Sequence, residues 1–262
     1  MKAMILAAGL GTRLRPLTND LPKPLLPIAN RPLIYYNLML LKKYGITDVF
    51  INVHYQREKI IQEVGNGSRF GMNITYSEEP EILGTGGGIK NIQSAIARGT
   101  FIVINADILI DLNLDKLVEF HHKKKGVATL VLREDEEVEQ FGVIEVDSKD
   151  QIRNILGKVT SKSDRVRRLM FTGVHVMEPR VMDYIPFSAF YSITDAYVEM
   201  LRASEKMFGY LMRGYWNDIG VLDRYKKADR DFKSGKVRLP HVRPETGAGE
   251  RVSLKSARLD RP

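Results

Sequence analysis

From residue 2 to about residue 110, short β-branched apolar runs alternate with stretches in which apolar residues recur every three or four positions. Residues 2–7, 49–53, 74–76 and 101–105 predict strands. Between them, Leu33, Tyr36, Leu40 and Leu41 follow Arg31-Pro32 at helical spacing, with Lys42 and Lys43 in the last turn and Gly45 beyond, so a helix is expected to open there. Residues 56–64 and 88–97 predict two further helices. Phe101-Ile102-Val103-Ile104-Asn105 is the most apolar of the strands, which suits a central place in a sheet covered on both faces. Alternation of this kind predicts an α/β fold with a mostly parallel sheet and helices on both faces.

Beyond residue 126 the pattern becomes strand-rich, with runs at 127–132, 143–146, 152–156 and 169–176, and predicts a smaller second lobe beside the first. A helix at 195–204, a strand at 208–212 and a final helix with Leu222, Tyr225, Ala228 and Phe232 on one face complete a body of residues 1–232. Residues 233–262 show no sustained apolar period and are expected to form a basic, disordered tail.

Composition narrows the function. With 44% apolar and 27% charged residues, 262 residues can bury a sizeable core, which excludes a fibrous or fully disordered chain. Cysteine is absent, so disulfides, thiolate metal sites and a cysteine nucleophile are excluded. The net charge of +8 sits unevenly: eight Lys/Arg against three Asp/Glu in residues 233–262 carry +5, leaving the body at +3. A nucleic-acid partner is therefore not expected. The opening apolar run stops at Gly9 and Gly11, too short for a secretion signal or a span, so no membrane partner and a cytoplasmic location are expected.

The strongest chemical signal is Leu6-Ala7-Ala8-Gly9-Leu10-Gly11-Thr12-Arg13, with Leu21-Pro22-Lys23-Pro24 downstream. A strand runs into a loop whose glycines free backbone N–H groups to face an anion, bracketed by a guanidinium and an ammonium. No Gly-Lys-Ser/Thr closes it, so it is not a Walker loop, and Leu14 breaks the dinucleotide pattern. Asp107 follows the most apolar strand, at the edge where open α/β sheets bind ligands.

These residues resemble the sugar-phosphate nucleotidyltransferases, whose signature is Gly-x-Gly-Thr-Arg, several residues, then Pro-Lys. The likeness runs from Lys2 to about Phe232 and includes Gly84-Thr85-Gly86-Gly87-Gly88, Asn105-Ala106-Asp107, Phe141-Gly142 and Trp216-Asn217-Asp218-Ile219-Gly220. It implies a Rossmann-like domain with a strand-rich sugar-binding lobe. The implied reaction is attack by a sugar 1-phosphate oxygen on the α-phosphorus of a nucleoside triphosphate, giving a nucleotide sugar and pyrophosphate. Such a displacement asks a protein chiefly for positioning and charge neutralisation.

By resemblance, Arg13, Lys23, Asp107 and Asp218 are the catalytic set, with Asp107 and Asp218 sharing one Mg²⁺ through hard oxygen ligands. Nucleotide contacts are expected from Leu6, Ala8, Gly9, Gly11, Thr12, Arg13, Glu79, Gly84, Thr85 and Gly86. Glu79 would accept from guanine N–H groups, against the alternative of an ordinary exposed turn residue. Gly142, Lys158 and Thr172 are expected at the sugar phosphate. Two positions depart from the family: Ala106 replaces a usual Gly, and Gly157 stands where a sugar-binding Glu is common.

Mannose 1-phosphate and GTP are the expected pair. The alternatives are uridylyl or thymidylyl transfer to N-acetylmuramate 1-phosphate or glucose 1-phosphate, and a nucleotide-sugar sensor without turnover. A homo-oligomer, if formed, is expected to use the catalytic body. His121 and His122 end a helix and complement its dipole, and the acidic run 134–139 reads as a hydrated loop.

Overall fold

The computed structural model describes residues 1–159 and 165–242. Its strands are β1 (Lys2–Leu6), β2 (Pro27–Ile28), β3 (Arg31–Pro32), β4 (Asp48–Val53), β5 (Asn73–Glu78), β6 (Phe101–Asn105) and β7 (Ile108–Ile110). They are followed by β8 (Ala128–Arg133), β9 (Val143–Val146), β10 (Ile152–Ile155), β11 (Arg167–Met177), β12 (Met207–Leu211) and β13 (Trp216–Asp218). Nine of them form one sheet in the order β10-β9-β11-β6-β1-β4-β5, with β8 joined to β11 and β12 to β8.

β6, β1, β4 and β5 run parallel, and their alternation divides the core in two. Ala3 and Ile5 of β1, with Ile102 and Ile104 of β6, face the helices Leu33–Lys43, Arg57–Val64 and Leu114–Lys124. Met4, Phe101 and Val103 face the opposite layer, where the helices Gly84–Asn91 and Ile193–Arg202 pack. Both faces of β1 and β6 are therefore dry, as central parallel strands require, whereas β5 at the sheet edge exposes Asn73, Thr75 and Glu78.

The strand-rich region does not stand apart as a lobe. β11 pairs antiparallel with β6 through Val174↔Ile104 and with β9 through Arg167↔Val146, and its register against β8 shifts between Phe171 and His175. One long bent strand thus belongs to both regions and extends the central sheet. The glycine-rich stretch also differs from expectation: it forms the first turn of the helix Gly84–Asn91 instead of preceding it. Tertiary contacts compensate for its weak helix propensity, since the N–H groups of Gly86 and Gly87 donate to Tyr191 O at 2.8 and 3.2 Å.

At the carboxyl end of the chain the helix Leu222–Lys233 packs on the body. The start of the expected tail departs from prediction, because Leu239 is buried in a third core with Leu14, Ile28, Tyr36 and Ile219. One well-placed leucine anchors a segment that lacks any apolar period. The remainder of the expected tail, residues 243–262, lies outside the described residues. Among the described residues no helix is long and apolar enough to cross a membrane.

Candidate functional site

The parallel strands end at one level: Leu6 of β1 lies between Asn52 of β4 and Asn105 of β6 in register. Three loops therefore leave the sheet side by side. Ala7 N donates to Asn52 Oδ1 at 2.8 Å and Ala106 N to Leu6 O at 3.0 Å. The resulting cleft of about 220 Å³ is lined by Leu6 at the end of β1 with Ala8 and Gly9 of the loop beyond, and by Asn105 at the end of β6 with Asp107 after it. Lys23 and Pro24 close one side, and Glu79, Gly84 and Thr85 another.

The chain turns away at Gly11, whose φ of +65° is left-handed; a Cβ there would meet Thr18 Cγ2 at 3.1 Å. Thr18 Oγ1 donates to Gly11 O at 2.8 Å and holds the turn. Thr12 and Arg13 follow on the exposed single turn Thr12–Leu14, anchored by buried Leu14. Gly11, Thr12 and Arg13 thus lie beyond the cleft wall.

Lys23 sits between two prolines that restrict the backbone of a short 3₁₀ turn, Lys23–Leu25, and its Nζ is 2.5 Å from Asp107 Oδ2. Asp218 arrives from far along the chain. β13 pairs antiparallel with β7, setting Asp218 opposite Ile108, and Ile219 N donates to Asp107 O at 2.9 Å. The two aspartates are consequently neighbours. Burial raises the Asp218 carboxyl above the usual carboxylate range, and Asp107 raises it further; Lys23, Arg224 and Arg13 act in the opposite direction.

Asp218 Oδ1 is buried without a hydrogen-bond partner among the described residues. Gly220 leaves the carboxylate room, since a Cβ there would come within 2.9 Å of both oxygens. A buried, unpartnered carboxylate oxygen beside a second aspartate suits a hard divalent cation that takes its remaining ligands from phosphate and water. Asp107 and Asp218 are the residues that could hold it.

Glu79 is neither an exposed turn residue nor a free acceptor. It is 1% exposed; Asn52 Nδ2 donates to its Oε1 at 2.7 Å and Leu83 N to its Oε2 at 2.9 Å. Through Asn52 the carboxylate ties the first loop to the Gly84 turn. Sequence reasoning missed Asn52, although a polar residue at the carboxyl end of a buried strand was its available signal. Thr85 Oγ1 accepts from Ile193 N at 2.9 Å, and the Gly86 N–H is taken up by Tyr191, so Gly86 backs the cleft without lining it.

The three residues expected at the sugar phosphate do not line the cleft. Gly142 ends the short helix Val138–Phe141 ahead of β9. Thr172 is 1% exposed and its hydroxyl donates to Val131 O at 2.8 Å, because it lies within the paired sheet. Lys158 Nζ pairs with Asp195 Oδ1 at 2.9 Å in a half-exposed contact. A cation that the sequence did not single out, Arg224, reaches Asp218 instead, with Nη1 3.7 Å from Oδ2.

The family model described as Nucleotidyl transferase matches residues 2–235. A UTP–glucose-1-phosphate uridylyltransferase from Synechocystis sp. is 34% identical over 272 residues, covering 97% of this chain and 70% of that relative. A mannose-1-phosphate guanyltransferase from Yarrowia lipolytica is 34% identical over 246 residues, covering 90% of this chain and 63% of that relative. The chain thus spans about two thirds of the length of these curated relatives. A solved structure described as a glucose-1-phosphate thymidylyltransferase from Bacillus anthracis, in complex with sucrose, superposes with a TM-score of 0.78 at 25% identity. That superposition covers 91% of this chain and 97% of the other.

Proposed function

The chain belongs to the nucleotidyl transferase family, and we propose that it transfers a nucleoside monophosphate from a nucleoside triphosphate to a hexose 1-phosphate. A phosphate oxygen of the sugar 1-phosphate attacks the α-phosphorus, the α–β phosphoanhydride bond breaks, and pyrophosphate leaves with the electron pair. Such chemistry needs positioned charge more than covalent help. The carrying observation is the pair Asp107 and Asp218, brought together at the mouth of a glycine-loop cleft with one buried carboxylate oxygen unpartnered.

Each residue then has a task. Backbone N–H groups of the Gly9–Gly11 loop face the triphosphate, and Arg13, on the exposed turn beyond, neutralises the pyrophosphate leaving group. Lys23, held by Asp107, neutralises charge developing on the α-phosphate. Asp107 and Asp218 would hold Mg²⁺, which when bound supplies a compact positive charge to the phosphate oxygens. Glu79, whose two oxygens already accept from Asn52 and Leu83, braces the Gly84 turn, and the preference for guanine rests instead on the guanyltransferase relative that covers 90% of this chain.

Mannose 1-phosphate with GTP is the preferred pair. Glucose 1-phosphate with UTP is the second reading, favoured by the uridylyltransferase relative that covers nearly the whole chain. Pyrophosphate release, measured with Mg²⁺ for GTP, UTP and dTTP against mannose, glucose and N-acetylmuramate 1-phosphates, tests both. GTP with mannose 1-phosphate is expected to give the highest kcat/KM. Silence across the whole panel, with nucleotide binding retained, would favour a sensor and overturn the enzymatic reading.

A further inference from the structure

Around Arg224 a group of side chains remains that the residue roles above do not use. Arg224 lies in the first turn of the helix Leu222–Lys233, with Nη1 3.7 Å from Asp218 Oδ2 and Nη2 2.9 Å from Glu137 Oε2. Its guanidinium carbon stands 4.5 Å from the centroid of the Phe141 ring. Phe141 meets Trp216 edge-on at 5.7 Å, and Arg133 lies 5.4 Å from the Trp216 centroid on the indole's other contact. Trp216 Nε1 is anchored on Thr172 O at 2.8 Å. Trp216 and Asp218 are two residues apart on β13 and so share a face of it.

A row of cation–π and edge-to-face contacts therefore runs Arg133, Trp216, Phe141, Arg224 and ends at the candidate metal carboxylate, while Phe141 immediately precedes Gly142. The Arg224 head is held from below by an aromatic face. Its outward N–H groups point to one carboxylate that belongs to the site and one that does not. Glu137 sits on the acidic run 134–139 and is 52% exposed, so its pair with Arg224 is weak and readily exchanged. Meanwhile Lys23 and Lys158 are each already paired with an aspartate, at 2.5 and 2.9 Å.

We propose that Arg224 binds the phosphate of the sugar 1-phosphate, and that Glu137 is a carboxylate stand-in which that phosphate displaces. This rests on the nucleotidyl-transfer reading above. A dianionic nucleophile approaching a triphosphate across two aspartates meets like charge unless a cation guards its path. A guanidinium fits that task, because its fork binds a phosphate through two parallel N–H···O bonds where a carboxylate sat before. The phosphate carries more charge than Glu137 and wins the exchange once the sugar is seated. The acidic run then acts as a placeholder that keeps Arg224 oriented between turnovers.

Steady-state kinetics with Mg²⁺ test this, using mannose 1-phosphate with GTP and glucose 1-phosphate with UTP and varying each substrate in turn. Arg224→Gln is expected to raise KM for the sugar 1-phosphate on the order of tenfold or more, with KM for the triphosphate changed less than about twofold. Arg224→Lys should recover part of that loss. Glu137→Gln should lower KM for the sugar phosphate by roughly two- to threefold, and should do nothing in an Arg224→Gln background. Equal rises in both KM values, a pure fall in kcat, or a Glu137 effect that survives without Arg224 would each overturn the proposal.

If wild type turns over no pair of the full triphosphate and sugar-phosphate panel, the nucleotidyl-transfer reading fails on its own terms and the fluorescence of Trp216, the sole tryptophan, decides about Arg224. A saturable emission change with mannose 1-phosphate or glucose 1-phosphate, absent with free mannose and absent in Arg224→Gln, supports the phosphate site. The same response in both proteins, or none in wild type, overturns it.

Discussion

On the side of the cleft proposed for the nucleotide the loops hang from parallel strand ends at one register level, and buried hydrogen bonds join them. Asn52 links the Ala7 N–H to Glu79, and Glu79 holds the Leu83 N–H. On the side proposed for the sugar phosphate, Gly142 precedes β9 and Thr172 lies in β11, both strands of the antiparallel extension, and the cations there are held by exposed carboxylates, Lys158 by Asp195 and Arg224 by Glu137. The first half is preorganised by that network, with the Ala7 N–H, Asn52 and Glu79 paired before any ligand arrives; the second must exchange partners to bind. Buried networks resist such exchange and exposed pairs permit it, so binding of the triphosphate ahead of the sugar phosphate is the order this contrast favours.

The contrast is sharpest at the aspartate pair that joins the halves. Asp218→Ala is expected to lower kcat on the order of a thousandfold while triphosphate binding, followed by calorimetry, persists through the loop contacts. Loss of binding in step with kcat would move Asp218 into the nucleotide half.

Next in size is Glu79→Ala, which strands one buried donor, Asn52 Nδ2, and one half-buried donor, Leu83 N. Losing their acceptor should cost about 2–4 kcal/mol, lowering Tm by roughly 5–10 °C, with Glu79→Gln, which keeps one acceptor oxygen and turns an NH2 toward the other donor, recovering only a minor part of it. A small change from Glu79→Ala in thermal melts would show that the nucleotide half is less rigidly wired than its hydrogen bonds indicate.

Asp218→Asn should have the opposite sign. Because burial and Asp107 raise the Asp218 carboxyl, its ionised form opposes folding. That cost is absent below the unfolded value, near pH 3.8, and grows as pH rises through the raised folded value. Without metal at pH 7, Asp218→Asn is expected to raise Tm, and the gain should vanish toward pH 3–4. Added Mg²⁺ should narrow the difference by stabilising wild type alone. The smallest effect belongs to Lys158→Ala, where loss of a half-exposed pair should move Tm by less than about 2 °C. A larger drop would show that the sugar half is more firmly held than its exposure suggests.

Much of this molecule was legible in short stretches of chain. The alternation of apolar runs determined the parallel strands β1, β4, β5 and β6 and the helices between them, because side-chain periodicity acts over a few residues. Gly9-x-Gly11 with Arg13, the Pro22-Lys23-Pro24 turn and Asp107 behind the most apolar strand were visible for the same reason: turn chemistry is local. Tertiary structure alone decided the rest. Asp218 is a neighbour of Asp107 only through the β7–β13 ladder, Glu79 is buried only because Asn52 and Leu83 converge on it, and Arg224 meets Glu137 across 87 residues of chain. Pairings of that kind depend on register and packing between distant segments, and neither leaves a periodic trace in the amino acids themselves.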